Sequence, residues 1–202
     1  MPTFSKDFIL LFIIFPIYFI FLFFGIFKLI FFLNKKQKVA LKKLADCLSW
    51  TIPKFSFYPS ITGLFDGLRF NILLIPGGKN SPPYLRILLN KNSMFKLRVL
   101  KESVLSGLGK KIGLVREVKI YDEGFDKEFL IFSDKPDRAM SYFSNSEIKN
   151  AVRDLFLNGF ADFIIDKKKI LIVKPNYNLD FDLEPQRVIG ILGKLSLLAK
   201  GI

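Results

Sequence analysis

The run FILLFIIFPIYFIFLFFGIF, Phe8 to Phe27, carries no charge over twenty residues, and no other feature of this 202-residue chain constrains its architecture as strongly. At about 1.5 Å per residue, a helix of that length covers roughly 30 Å, the hydrocarbon thickness of a bilayer. The run exceeds the apolar core of a cleaved leader, roughly 7–15 residues. The residues that follow, FKLIFFLNKK, hold no small-residue cleavage site. The expectation is an N-terminal segment, residues 1–33, with one transmembrane helix over about residues 8–30. On its far side stand Lys28, Lys35, Lys36, Lys38, Lys42 and Lys43, against Lys6 offset by Asp7 on the near side. By the positive-inside rule this lysine bias predicts a single-pass protein of the cell (inner) membrane with its C-terminal domain in the cytoplasm.

Charge is segregated along the rest of the chain. The formal net charge of +13 accrues entirely before Tyr121, after which basic and acidic residues nearly balance. Residues 34–50 hold five lysines against Asp46 and read as a basic amphipathic juxtamembrane helix. Gln37, Leu41, Leu44, Ala45 and Leu48 fall on one face, and the lysines spread over the remainder. On this reading Lys28, Lys35, Lys36, Lys38, Lys42 and Lys43 face lipid headgroups and orient the domain. A plain solvated helix face is the competing reading.

Composition also removes several chemistries. The chain has no histidine and one cysteine, Cys47. The commonest general base and transition-metal ligand are therefore missing, and no intrachain disulfide can form. Histidine-based triads and the usual zinc sites are out of reach. No cofactor is expected, and the composition argues against an enzyme.

Residues 51–202 read as an α+β domain with a mostly antiparallel sheet and two or three packed helices. Asp66-Gly67 between LF and LRFNILLI is a type I′ hairpin signal. YLRILL and FKLRVL read as strands separated by a Lys-Asn-Ser turn, VREVKI alternates, and EFLIF is a short apolar strand. Ser133 or Asp134 is placed to cap a helix over KPDRAMSYF, and Ser146 to cap one ending at Gly159. ADFIID and ILIVK form a hairpin over a lysine tip. EPQRVIGILGKLSLLAK is amphipathic, with its apolar face free to pack on the sheet, on a membrane or on a partner helix.

The candidate site is YDEGFDKE, where Asp122, Glu123, Asp126 and Glu128 interrupt a basic chain. Clustered carboxylates can hold Ca²⁺ or Mg²⁺. Asp122, Asp126 and Glu128 are the weak metal candidates, although the order of residues is not that of an EF-hand loop. Extended geometry would put Asp126 and Glu128 on one face of a strand. The favoured reading makes Asp122 and Glu123 turn residues, lets Gly124 take an unusual dihedral and has Asp126 bond nearby backbone, so that the stretch is a turn feeding a core strand. IPGGKN and SGLGKKIG lack the spacing and the hydroxyl of a phosphate loop. Arg86, Lys91, Lys96 and Arg98 beside Tyr84 and Phe95 raise single-strand nucleic-acid binding, but no recognition signature accompanies them.

Two landmarks, ITGLFDGLRFNI and EGFDKEFLIFSDKPDRAMSYF, resemble those of uncharacterised bacterial single-pass membrane proteins with a C-terminal α+β domain. The glycine of the second landmark directly precedes Phe125, where in those proteins it stands further back. The resemblance implies that Phe125, Asp126 and Phe129 form a structural unit, and it carries no activity to any residue. The leading expectation is a membrane-anchored cytoplasmic interaction or scaffold module, with its basic half against lipid headgroups or an acidic protein partner. A membrane-bound metal-dependent hydrolase using Asp122, Asp126 and Glu128 is the alternative, and a nucleic-acid tether stands behind it. Sequence alone names neither the partner nor the oligomeric state.

Overall fold

The computed structural model of the chain describes residues 15–22, 25, 35–54, 56–102 and 116–202. They fall into two compact units, Met1–Lys36 and Gln37–Ile202. In the first unit residues 15–22 are helical, with exposed side chains. Among the described residues no helix is long and apolar enough to cross a membrane. That finding overturns the expected anchor, and with it the single-pass architecture and the inner-membrane location. The remainder of the Phe8–Phe27 run, apart from Gly25, lies outside the described residues, as does Lys28.

The second unit is an α+β fold built on one antiparallel sheet. Helix α1 (Lys35–Leu48) leads into β1 (Ser60–Phe65), β2 (Leu68–Ile75), β3 (Tyr84–Asn90), β4 (Leu97–Lys101) and β5 (Arg116–Val118). Helix α2 (Glu123–Glu128), β6 (Phe129–Ser133), α3 (Pro136–Phe143) and α4 (Ser146–Leu157) follow. The chain ends with β7 (Asp162–Asp166), β8 (Lys169–Pro175), α5 (Leu179–Asp182) and α6 (Pro185–Lys200). Among the described residues of 51–202 five helices stand where two or three were expected, because α2 and α5 are six and four residues long and too short to show a periodic pattern.

The eight strands lie in the order β1-β2-β3-β8-β7-β4-β6-β5. β3 and β4 are therefore not neighbours. The β7–β8 hairpin sits between them, and its tip is fastened to their connection by Lys91 N–H to Lys168 O (3.2 Å) and Ser93 N–H to Lys167 O (3.0 Å). Register aligns one residue from every strand into a continuous row: Ile61, Ile72, Ile87, Ile172, Phe163, Val99, Ile131 and Val118. All eight are buried. With seven β-branched members, the row suits a pleated, close-packed surface. It forms the floor of the core, and α1, α3, α4 and α6 supply the roof.

Local chemistry explains the edges. Asp66 and Gly67 both adopt positive φ (51° and 74°), so β1 and β2 are joined by a two-residue turn whose twist matches the strands. Gly63 is there for another reason. A Cβ on it would lie 2.2 Å from the Trp50 ring, so glycine lets the indole lie flat on the edge strand. Trp50 then stacks on Phe70 (centroids 6.3 Å apart) and donates its Nε1–H to Leu64 O at 3.1 Å.

The last helix, left open between sheet, membrane and partner by its sequence, packs into the core through Val188, Ile191, Leu192, Leu195 and Leu198. It is pinned to α3 by Tyr142 O–H to Leu198 O (2.9 Å) and to α4 by Lys194 with Asp154 (2.6 Å). A buried charge network holds the far end. Lys174 on β8 donates to Asp182 (2.6 Å) and to Asn158 O (2.7 Å), the C-terminal cap of α4. Gly159, at φ 87°, turns the chain away and leaves space for the lysine stem. Two expected caps are corrected. Ser133 and Asp134 tie β6 to β4 through Lys96 O and Lys96 N–H, leaving α3 to start at Pro136. Asn145, not Ser146, caps α4 by accepting from Glu147 N–H.

Candidate interaction surface

The acidic stretch is a folded element, not an open cluster. Asp122 caps α2 by accepting the Phe125 N–H at 3.0 Å, which winds residues 123–128 into a helical turn, in keeping with the turn reading and against the extended one. The second Asp122 oxygen meets the Lys149 ammonium at 2.5 Å. These contacts, the Lys149 hydrogen bond foremost and the backbone N–H next, hold its carboxyl below the usual carboxylate value. Asp126 accepts from Ile120 N–H at 3.1 Å, and Glu128 meets Arg153 at 3.2 Å. Each acid thus answers to a different group. Among the described residues there is no group of three or more histidine, cysteine or acidic side chains able to hold a metal ion.

The same turn delivers Phe125 and Phe129 into the core. Their ring centroids lie 4.7 Å apart, and both are buried. Phe125 also meets Phe143 (5.3 Å), and Arg153 lies over its ring at 5.2 Å. Asp126 secures the chain entering the turn, so the three residues act together at one corner of the fold.

Helix α1 divides as its periodicity requires. Leu41, Leu44 and Ala45 are buried in the core, and Gln37 and Leu48 are half-buried. Lys35, Lys36, Lys38, Lys42 and Lys43 are exposed. Gln37 donates to the Tyr177 hydroxyl at 2.6 Å, which ties α1 to the loop after β8. The helix belongs to the structural core on one side and offers lysines on the other.

Among the described residues, the opposite face of the sheet carries no comparable core cluster. Alternation directs Asn71, Leu73, Arg86, Leu88, Leu171 and Val173 away from the buried row. The four apolar residues are half-buried, and none belongs to the core cluster. Toward β4 and β6 this face closes over Leu100 and Leu130, which are buried, so its open part runs over β2, β3, β8 and β7. Four strands at about 4.8 Å spacing make a strip roughly 15 Å wide. Antiparallel sheets that face water usually alternate apolar and polar residues; here the outward positions remain apolar at the centre.

The charges of this face are uneven. Arg98 and Asp162 form a two-point contact (3.0 and 2.6 Å) that closes one end. Burial pushes the Asp162 carboxyl up, and the guanidinium pulls it partly back. Arg69 and Arg86 are exposed and make no salt bridge with a described residue. The sequence signalled Arg86 and Arg98 as basic strand residues. It gave no sign that Arg69 shares their face, because that depends on register across separate strands. Of the two aromatics raised for base stacking, Phe95 is buried in the core and Tyr84 is half-buried.

No family model and no curated protein matches the chain. Among solved structures, the crystal structure of the mycobacterial trehalose monomycolate transport factor A, TtfA, is similar with a TM-score of 0.58 at 9% sequence identity. The match covers 83% of this chain and 97% of that one. At that identity the likeness is one of fold.

Proposed function

We propose that the chain is a non-catalytic interaction module whose open sheet face takes an acidic, amphipathic segment of a protein partner. The observation that carries the reading is the asymmetry of the sheet: one face packs into the core, while the other presents half-buried Leu73, Leu88, Leu171 and Val173 beside Arg69 and Arg86, which make no salt bridge with a described residue. An apolar strip of this kind gains from being covered, and these cations select for acidic neighbours. TtfA is described as a transport factor, and the shared fold supports an accessory role in a transport process. The dispersal of Asp122, Asp126 and Glu128 onto separate partners gives the hydrolase reading no site to work with.

Photo-crosslinking tests this directly. A benzophenone side chain at Leu88 should capture a protein through an acidic stretch, and the product should disappear with Arg69→Glu and Arg86→Glu together. The same probe at Gly190, on the exposed side of α6, serves as control. Equal capture from both positions, or capture indifferent to the charge reversal, would refute the assignment of this face.

A further inference from the structure

A second, separate feature lies where α3, α4, the β3–β4 connection and Gly201–Ile202 after α6 meet. A cavity of about 290 Å³ opens there to the surface. Its floor is apolar: Phe95 meets Tyr142 edge-on at 5.8 Å between centroids, and Ile148 stands beside them. All three are buried, and the Tyr142 hydroxyl is already committed to Leu198 O. Met94, 78% exposed, lines the mouth.

The rim is polar and has spare donors. Arg138 and Ser141 sit three residues apart on α3, and both line the cavity together with Asn145. Arg138 makes no salt bridge with a described residue, whereas Arg98, Arg153 and Arg187 each do. The Asn145 side-chain oxygen is used to cap α4, which leaves its amide N–H groups to point elsewhere. One cation and two neutral donors thus border an aromatic and aliphatic floor.

We infer that this cavity is a binding site for a small amphipathic carboxylate, with the carboxylate on Arg138 and its apolar body over Phe95, Tyr142 and Ile148. A guanidinium matches a carboxylate through two parallel hydrogen bonds. A phosphate monoester at about −1.5 to −2 would exceed the single charge available. At about 30 Å³ per water-sized group, the volume accommodates on the order of ten heavy atoms, which is the size of octanoate. The site lies on the helix side of the domain, so it is independent of the open sheet face.

The test is titration of the full 202-residue chain with octanoate, octyl phosphate and octanol, read from the methyl resonance of Met94 in protein labelled at methionine. Octanoate should shift that resonance saturably, and more tightly than either analogue. Arg138→Gln should weaken octanoate by about tenfold or more, the scale of one charge-assisted contact. Ser141→Phe, at an exposed position on the rim, should fill the space and abolish the shift. No saturable shift in folded protein, tighter binding of octyl phosphate, or affinity unchanged in both variants would each overturn the assignment.

Discussion

Gly63 offers the sharpest test of how this fold is assembled. Replacing it with alanine puts a Cβ 2.2 Å from the Trp50 ring, where ordinary contact begins near 3.4 Å. The ring must therefore move by more than about 1 Å, and it has nowhere to go but outward. That motion breaks the Nε1–H bond to Leu64 O and the stack on Phe70. Overpacking of this kind costs about 1–3 kcal/mol, and loss of a buried aromatic about 3–5 kcal/mol. Alanine recovers about 0.5–1 kcal/mol of the entropic cost of a glycine in a strand, so a net loss of about 2–3 kcal/mol is expected. A double-mutant cycle isolates the cause. In a Trp50→Ala background the obstacle is gone, and Gly63→Ala should become neutral or slightly stabilising. Urea denaturation followed by circular dichroism gives all four stabilities. Because Trp50 is the single tryptophan of the chain, its emission in Gly63→Ala should also move to the red as the ring meets water. If the alanine destabilises equally in both backgrounds, the steric account of this glycine is wrong.

Three further outcomes follow from the same structure. Lys174→Met should cost about 3–5 kcal/mol in urea melts, because it leaves the buried Asp182 carboxylate with only the Asn178 N–H and the more distant Arg187; a cost below about 1 kcal/mol would mean the network is not held in that geometry. Asp122 has a folded pKa lowered from 3.8, so it contributes stability above that pH and loses it as pH falls through the lower folded value. Asp122→Asn, which keeps a side-chain oxygen for the cap, should flatten the acid limb of the stability–pH curve and leave neutral pH less affected. Gly67→Ala should cost about 1 kcal/mol through its positive φ alone, with the β1–β2 pairing preserved by amide exchange.

What could be read from the chain, and what could not, divides along the range of the interactions. Asp66-Gly67, the ADFIID–ILIVK hairpin and the apolar face of α6 are local patterns, and each appears in the structure where its residues place it. The strand order is not local. Nothing in YLRILL or FKLRVL says that a hairpin seventy residues later enters between them, since that is decided by which rows complete the core. YDEGFDKE was legible as a turn in which Asp126 bonds nearby backbone, here Ile120 N–H, but not as a helical turn, because that depends on one side-chain cap from Asp122. The Phe8–Phe27 run satisfies a length criterion, yet no helix among the described residues is long and apolar enough to cross a membrane.

The sheet's asymmetry has a cause that bears on function. Inserting β7–β8 at the centre places two strands, Asp162–Asp166 and Lys169–Pro175, where both edges are paired with neighbouring strands. Their inward residues, Phe163, Ile165, Ile170 and Ile172, are buried in the core, and their outward residues Ile164, Leu171 and Val173 are half-buried. A sheet needing only one core would place polar residues at those outward positions, as Thr62 and Asn71 are placed toward the β1 edge. Retaining apolar residues in mid-sheet forgoes solubility and carries an aggregation hazard unless that surface is covered part of the time. Arg69 and Arg86 beside it reduce self-association by like-charge repulsion between copies while leaving an acidic segment free to bind. The two features together favour a face kept for a different molecule over one that pairs with itself.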